Sequence, residues 1–188
     1  MPILGIIASS ISGNLVTTSF ESIATLTAAG GETSLSFTSI AGTYKHLQIR
    51  GIYRDTQAAS TAKNLVIQFN SDTASNYAYH RLEGTGTAAT SSGGATQTSG
   101  LISDAGVADS ATASVFGASI TDILDYASTS KYKTIRGFAG VDTNGGGQIG
   151  LSSSLWLSTS AITSIQLKPG STAFKAGTTF ALYGIKGA

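Results

Sequence analysis

Short runs of alternating apolar and polar residues, broken by Gly, Asn, Asp, Ser and Thr, dominate this chain, and a period of two marks half-buried strands. In "TSLSFTSI", Leu35 and Phe37 face one way while Ser34, Ser36 and Thr38 face the other. In "YKHLQIRGI", Leu47 and Ile49 alternate with His46, Gln48 and Arg50, and "NLVIQFN" puts Leu65, Ile67 and Phe69 on one face. The same alternation runs through "SVFGASITDILDY", "KTIRGFAGV", "GQIGLSSSLWL", "ITSIQLKP" and "TTFALYGI". With "SFESIATLT" near the start, the pattern predicts about nine strands, in the range of a sandwich or closed barrel. We read an all-β chain folded as a single antiparallel β-sandwich, jelly-roll-like. Only "SITDILDYAS" offers helical spacing, and the β-branched run leading into it favours a strand that ends in a short turn.

Two stretches break the pattern. Residues 83–113 are almost entirely Gly, Ala, Ser and Thr with few large apolar anchors, which predicts a long surface loop between strands. The opening "MPILGIIASSISGN" is short, apolar and interrupted by Pro2 and Gly5. Residues 1–12 hold no Lys or Arg, so the expectation is against a signal peptide. Two readings stand for residues 1–13. Ile3 to Ile7 form a first strand of the sandwich, or Ile3, Leu4, Ile6, Ile7 and Ile11 dock the chain on a partner. Residues 14–188 then form the β-sandwich domain. "TYKHLQIRG" and "KYKTIRG" share a beginning and an end, and Gly51 and Gly137 are expected to mark bends there.

Composition narrows the partners. Charged residues are only 11% of the 188-residue chain, under half the usual share, and Ser and Thr take up the difference. A surface of hydroxyls and glycine has few charges to hold it away from neighbours, which suits an assembly. The net charge is +1 with Lys and Arg scattered, so no basic stripe is available for a phosphate backbone. The chain has no Cys, which removes disulfides and thiolate metal sites. No run reaches the ~18 apolar residues a membrane helix requires.

Candidate chemistry is thin. His46 and His80 are the only side chains with an unperturbed pKa near neutrality, and no Gly-x-Ser-x-Gly elbow accompanies them. Asp122 and Asp125 are a carboxylate pair on paper, the arrangement a glycosidase needs across a cleft. "DTNGGGQ" alternates oxygen ligands at Asp142 and Asn144, but no bidentate Glu follows, and Asn144-Gly145 predicts a hairpin turn instead. "NSDTASN" (Asn70, Asp72, Asn76) predicts a turn closed by its own Asx side chains. No catalytic, cofactor or metal site is assigned. Aromatic rings with polar neighbours hold sugars well, which makes Tyr77, Tyr79, His80 and Arg81 of "NYAYHRLEG" candidate glycan contacts, with Tyr126 and Tyr132 as further tyrosines. Trp156, between Leu155 and Leu157, is expected in the core.

The pieces "FESIATLT", "TYKHLQIRGIYRDT", "LVIQFNSDTASNYAYHRLEG", "FGASITDILDYASTSKYKTIRGFAG", "LSSSLWLSTSAITSIQL" and "FKAGTTFALYGIKG" resemble a family of small virion proteins of tailed bacteriophages, especially cyanophages and other aquatic phages. The resemblance runs from about residue 14 onward, and "ILGIIASSISG" also resembles the start of such proteins. It implies a non-enzymatic particle component with a β-sandwich fold, of the tail-fibre or host-attachment type, located in the virion, and it brings no catalytic residues. Expected partners are other tail or capsid proteins, a host surface glycan and further copies of the chain, three by analogy with fibres. A capsid decoration (cement) protein is the alternative, and a carbohydrate depolymerase using Asp122 or Asp125 is the alternative of another class.

Overall fold

The computed structural model describes residues 19–58, 62–170 and 172–187. They form twelve strands and no helix: β1 (Phe20–Thr27), β2 (Leu35–Phe37), β3 (His46–Tyr53), β4 (Ala62–Phe69), β5 (Tyr77–Gly84), β6 (Ala89–Gln97), β7 (Gly100–Val107), β8 (Gly117–Ile123), β9 (Lys133–Asp142), β10 (Gly147–Trp156), β11 (Ile165–Pro169) and β12 (Thr179–Ile185). They build two antiparallel sheets, one of eight strands in the order β1-β12-β3-β8-β9-β10-β5-β6 and one of four in the order β2-β11-β4-β7. The all-β, two-sheet architecture read from the alternation is therefore present, with twelve strands rather than nine.

The pairing is nested. β1 pairs with β12, β2 with β11, β3 with β8 and β4 with β7, each pair enclosing the next along the chain. Two hairpins are added to this frame, β5–β6 after β4 and β9–β10 after β8. Both extend the eight-stranded sheet beyond β8.

Alternation explains the core. Leu47 and Ile49 of β3, Ile123, Ile135, Trp156, Phe180 and Leu182 point inward from the large sheet. Phe37, Leu65, Ile67, Phe69, Ile165 and Leu167 meet them from the small one. Trp156 belongs to this core as expected, its ring 5.4 Å from that of Phe69.

Three strands escape the sequence pattern. The segment expected as a surface loop instead holds the end of β5, all of β6 and all of β7. The β6 strand is an exposed ribbon of small residues at the sheet edge, paired with β5. β7 is buried along almost its whole length, because it pairs with β4 while its other face lies against the large sheet. That contact is backbone to backbone: a Cβ on Gly117 would sit 1.8 Å from the carbonyl oxygen of Ala105, and one on Gly137 1.9 Å from that of Ile102. Gly137 is thus a site of close approach and not a bend, since the register runs unbroken through it on both sides. The same correction applies to Gly51, where a Cβ would strike the Phe180 ring at 2.3 Å within an unbroken register.

After β7 the chain crosses back through residues 108–116, held by the Asp109 N–H on Gln57, the Thr112 hydroxyl on Thr143, Lys175 on Asp109 and, at four points, Arg54. The buried guanidinium of Arg54 donates to the carbonyls of Asp109, Ala111, Thr112 and Val115 at 2.8–3.1 Å. Five N–H donors in a rigid fork suit that task.

Candidate functional site

The outer face of the eight-stranded sheet does not have the polar character that alternation normally gives a solvated face. Cross-strand register lines up Arg50, Ile120, Phe138, Leu151, Leu82 and Ser91 as one row over β3, β8, β9, β10, β5 and β6. The next row reads Ile52, Ala118, Gly140, Ile149, Gly84 and Ala89 on the same strands. Ile52, Ile120, Phe138, Leu151, Leu82 and Ile149 each keep between 41% and 54% of their surface exposed. Four of them are direct neighbours across about 14 Å of sheet at the usual strand spacing. Together the six leave on the order of 500 Å² of apolar surface in water, at the upper end of what monomers carry.

The third row is polar: Gln48, Asp122, Arg136, Ser153 and His80. Here Arg136 bridges Asp122 at 2.9 Å, and Gln48 donates to the same carboxylate at 2.8 Å. Asp125 lies beyond the end of β8, bracketed by Lys45 at 2.9 Å and Lys131 at 2.7 Å. Those two lysines, led by Lys131, pull its carboxyl down to about 2. Both aspartates are thus engaged by local cations, and the lowered pKa of Asp125 is the opposite of what a general acid requires.

Beneath the apolar rows, β5 carries its charges inward. Arg81 bonds to Asp104 of β7 and lies 3.5 Å from Glu83. Gln148 donates to both carboxylates, at 2.9 Å to Glu83 and 3.1 Å to Asp104, while Thr90 donates to Glu83 at 2.9 Å. Burial first, then the hydrogen bond with Glu83, pushes the Asp104 carboxyl up to about 7. The Glu83 carboxyl is held low, chiefly by that same hydrogen bond with Asp104. Through Arg81 and Gln148, which both bond to Asp104, this cluster ties the two sheets together at the β5–β7 contact.

The four residues read as a glycan contact do not share a face. Tyr77 is fully buried, its hydroxyl accepting the Phe69 N–H at 2.9 Å, and burial pushes its pKa up to about 12. Tyr79 and Arg81 also point inward, and only His80 stands in solvent, its ring covering Gly93 on β6. Tyr126 is buried as well, with its hydroxyl donating to the carbonyl of Ala41, whereas Tyr132 is exposed. The docking residues Ile3, Leu4, Ile6, Ile7 and Ile11 lie outside the described residues.

The Asn-Gly turn behaves as read, and the "NSDTASN" turn does so only at Asp72. Asn144 and Gly145 take φ of 60° and 119° between β9 and β10, with Thr143 N–H bonded to Gly146 at 2.7 Å. Asp72 accepts the Ala74 N–H at 2.9 Å, while Asn70 reaches instead across to residues 161–164. At the same end of the sandwich as the Asn-Gly turn is an open cleft of about 630 Å³, bordered by Thr85, Phe116, Asp142 and Gln148.

Sequence reasoning missed the apolar rows because Ile120, Phe138 and Leu151 lie on strands that also have apolar residues inside. The signal was present, because these strands carry apolar residues at both odd and even positions. No protein-family model, curated protein or solved structure matches this chain.

Proposed function

We propose that the protein is a non-enzymatic structural subunit of a bacteriophage particle, displayed on its surface in the tail-fibre or host-attachment apparatus. The apolar outer face of the large sheet carries this reading. Six half-exposed aliphatic and aromatic side chains in register make a surface suited to being covered, and covered surfaces belong to assemblies. The low charge of the chain agrees with it.

The strand order supports a jelly-roll reading of the fold. With the two hairpins set aside, β1-β12-β3-β8 faces β2-β11-β4-β7, the arrangement of an antiparallel ribbon rolled on itself, and viral shell domains use that architecture. Fold alone does not assign function, so the weight stays on the face. The depolymerase reading draws no support from Asp122 and Asp125, which are engaged by Arg136, Gln48, Lys45 and Lys131.

Two observations favour the capsid decoration reading: the apolar surface lies on the flat of a sheet, as suits a subunit spread on a lattice, and Tyr77 and Tyr79, read as glycan contacts, turn inward. Labelling the protein in intact particles separates the two. A few dozen copies or fewer at the tail is the expected result, and hundreds over the head lattice would make it a decoration protein. Deleting residues 2–13 should leave a folded domain that no longer enters particles. A truncated chain that fails to fold, or that assembles normally, would remove the docking role of that segment.

A further inference from the structure

Resting on the assembly reading, the outer face can be given an occupant. We propose that it is a second copy of this chain, the two eight-stranded sheets packing face to face about a two-fold axis near Phe138 and Leu151. Three observations carry the choice.

The first is size. The ~500 Å² exposed by six apolar side chains, together with the small residues between them, approaches the ~800 Å² per partner of a stable interface.

The second is shape. A two-fold interface uses one patch twice, so the patch must hold both ridge and hollow. The row Ile120, Phe138, Leu151 and Leu82 is the ridge. Beside it lies an apolar hollow of about 240 Å³, bordered by Gly84, Ala89, Phe138, Ile149 and Leu151. Gly84 and Ala89 withhold side-chain volume there, which leaves room for the partner's ridge. Sheets stack about 10 Å apart with strands some 30° askew, an angle at which the two ridges cross instead of colliding along their length.

The third is charge. A face built for a foreign charged partner would carry unpaired charges of one sign. Here Asp122 and Arg136 already neutralise each other at 2.9 Å. Arg50 donates to Gln48 at 2.8 Å and lies over the rings of Phe20 and Tyr183 at 5.6 and 5.5 Å. Arg50 keeps its net charge, but it lies at the β3 end of its row, two strands from Phe138, so the patch around the axis can meet itself without repulsion.

Sedimentation equilibrium on the full chain should show a dimer that Phe138→Glu converts to monomer, with the circular dichroism of the fold retained and a melting temperature that no longer depends on protein concentration. Because the chain has no cysteine, Leu151→Cys should cross-link to double mass on oxidation, while Ser36→Cys on the other sheet should not. A monomeric full-length chain overturns the proposal. So does a trimer, or a dimer that survives both Phe138→Glu and Leu151→Glu. A full-length monomer that dimerises only after removal of residues 2–18 would assign the face to the chain's own N-terminal segment, and also overturns it. Particle incorporation is scored separately: a monomer that still enters particles sinks the pairing alone, and a dimer never found in particles sinks the particle reading alone.

Discussion

The indole N–H of Trp156 donates to a carboxylate oxygen of Asp72 at 2.7 Å. Asp72 lies just after β4 in the small sheet, and Trp156 ends β10 in the large one, so this bond joins the sheets at one end of the core. The same carboxylate accepts from Asn76 at 3.0 Å and from the Ala74 N–H at 2.9 Å. Asn76, with help from Trp156 and Ala74, holds its pKa below the usual value. A depressed carboxylate contributes stability that is present above its unfolded pKa and lost as pH falls through the folded one.

Asp72→Ala is accordingly expected to cost about 1.5–3 kcal/mol, the range for a hydrogen bond to a charged group. Urea denaturation measures the loss, and a red shift of the Trp156 emission reports the freed indole.

Arg54→Lys should cost about 2–3 kcal/mol, because one ammonium cannot serve four carbonyls spread over residues 109–115. Hydrogen exchange should rise in residues 108–116 before it rises in β7. Uniform protection across that segment in the variant would show that the loop holds itself.

Gly137→Ala is expected to abolish folding or to cost more than about 3 kcal/mol, since its methyl group would enter the carbonyl of Ile102, and backbone cannot turn aside as a side chain can. Gly150→Ala is the control. Its nearest neighbour would be the Leu82 carbonyl at 3.6 Å, an ordinary contact, and its melting temperature should stay near that of the native chain.

The Asp104 carboxyl titrates near 7 in the fold and near 4 when unfolded. The folded state therefore binds more protons between those values, and stability falls as pH rises from about 4 through about 7. Asp104→Asn should flatten this slope and gain on the native chain at pH 8 relative to pH 5. Urea midpoints at the two pH values decide it, and parallel curves for both proteins would refute a proton held at this site.

Strands whose alternation matches their burial were legible from the sequence: Leu47 and Ile49, Leu65 to Phe69, and Trp156 all point where the pattern puts them. The strands that escaped did so for separate reasons. In β5 the polarity is inverted, with Arg81 and Glu83 inside and Leu82 outside, because Asp104 and Gln148 satisfy the charges. β6 has no large apolar residue to show alternation at all. In β7 both faces are covered, so its small residues reflect lack of room and not exposure. Of the candidate site, the turns at Asn144 and Asp72 were legible because turn chemistry is local. The apolar rows and the Glu83–Asp104 pair were not, since each is assembled from strands far apart in the chain.

The nested pairing also governs how the protein is made. β12 lies between β1 and β3, so neither of those strands can take up its native pairing on that edge until residues 179–185 have been synthesised. The inner pairs, β4 with β7 and β3 with β8, can close first, and the outermost pair closes last. Contacts of such long sequence separation make folding slow, and in the interval the unpaired edges of β1 and β3 are open to other nascent chains. High-level expression should therefore be limited by chaperone capacity during translation rather than by the stability of the finished fold.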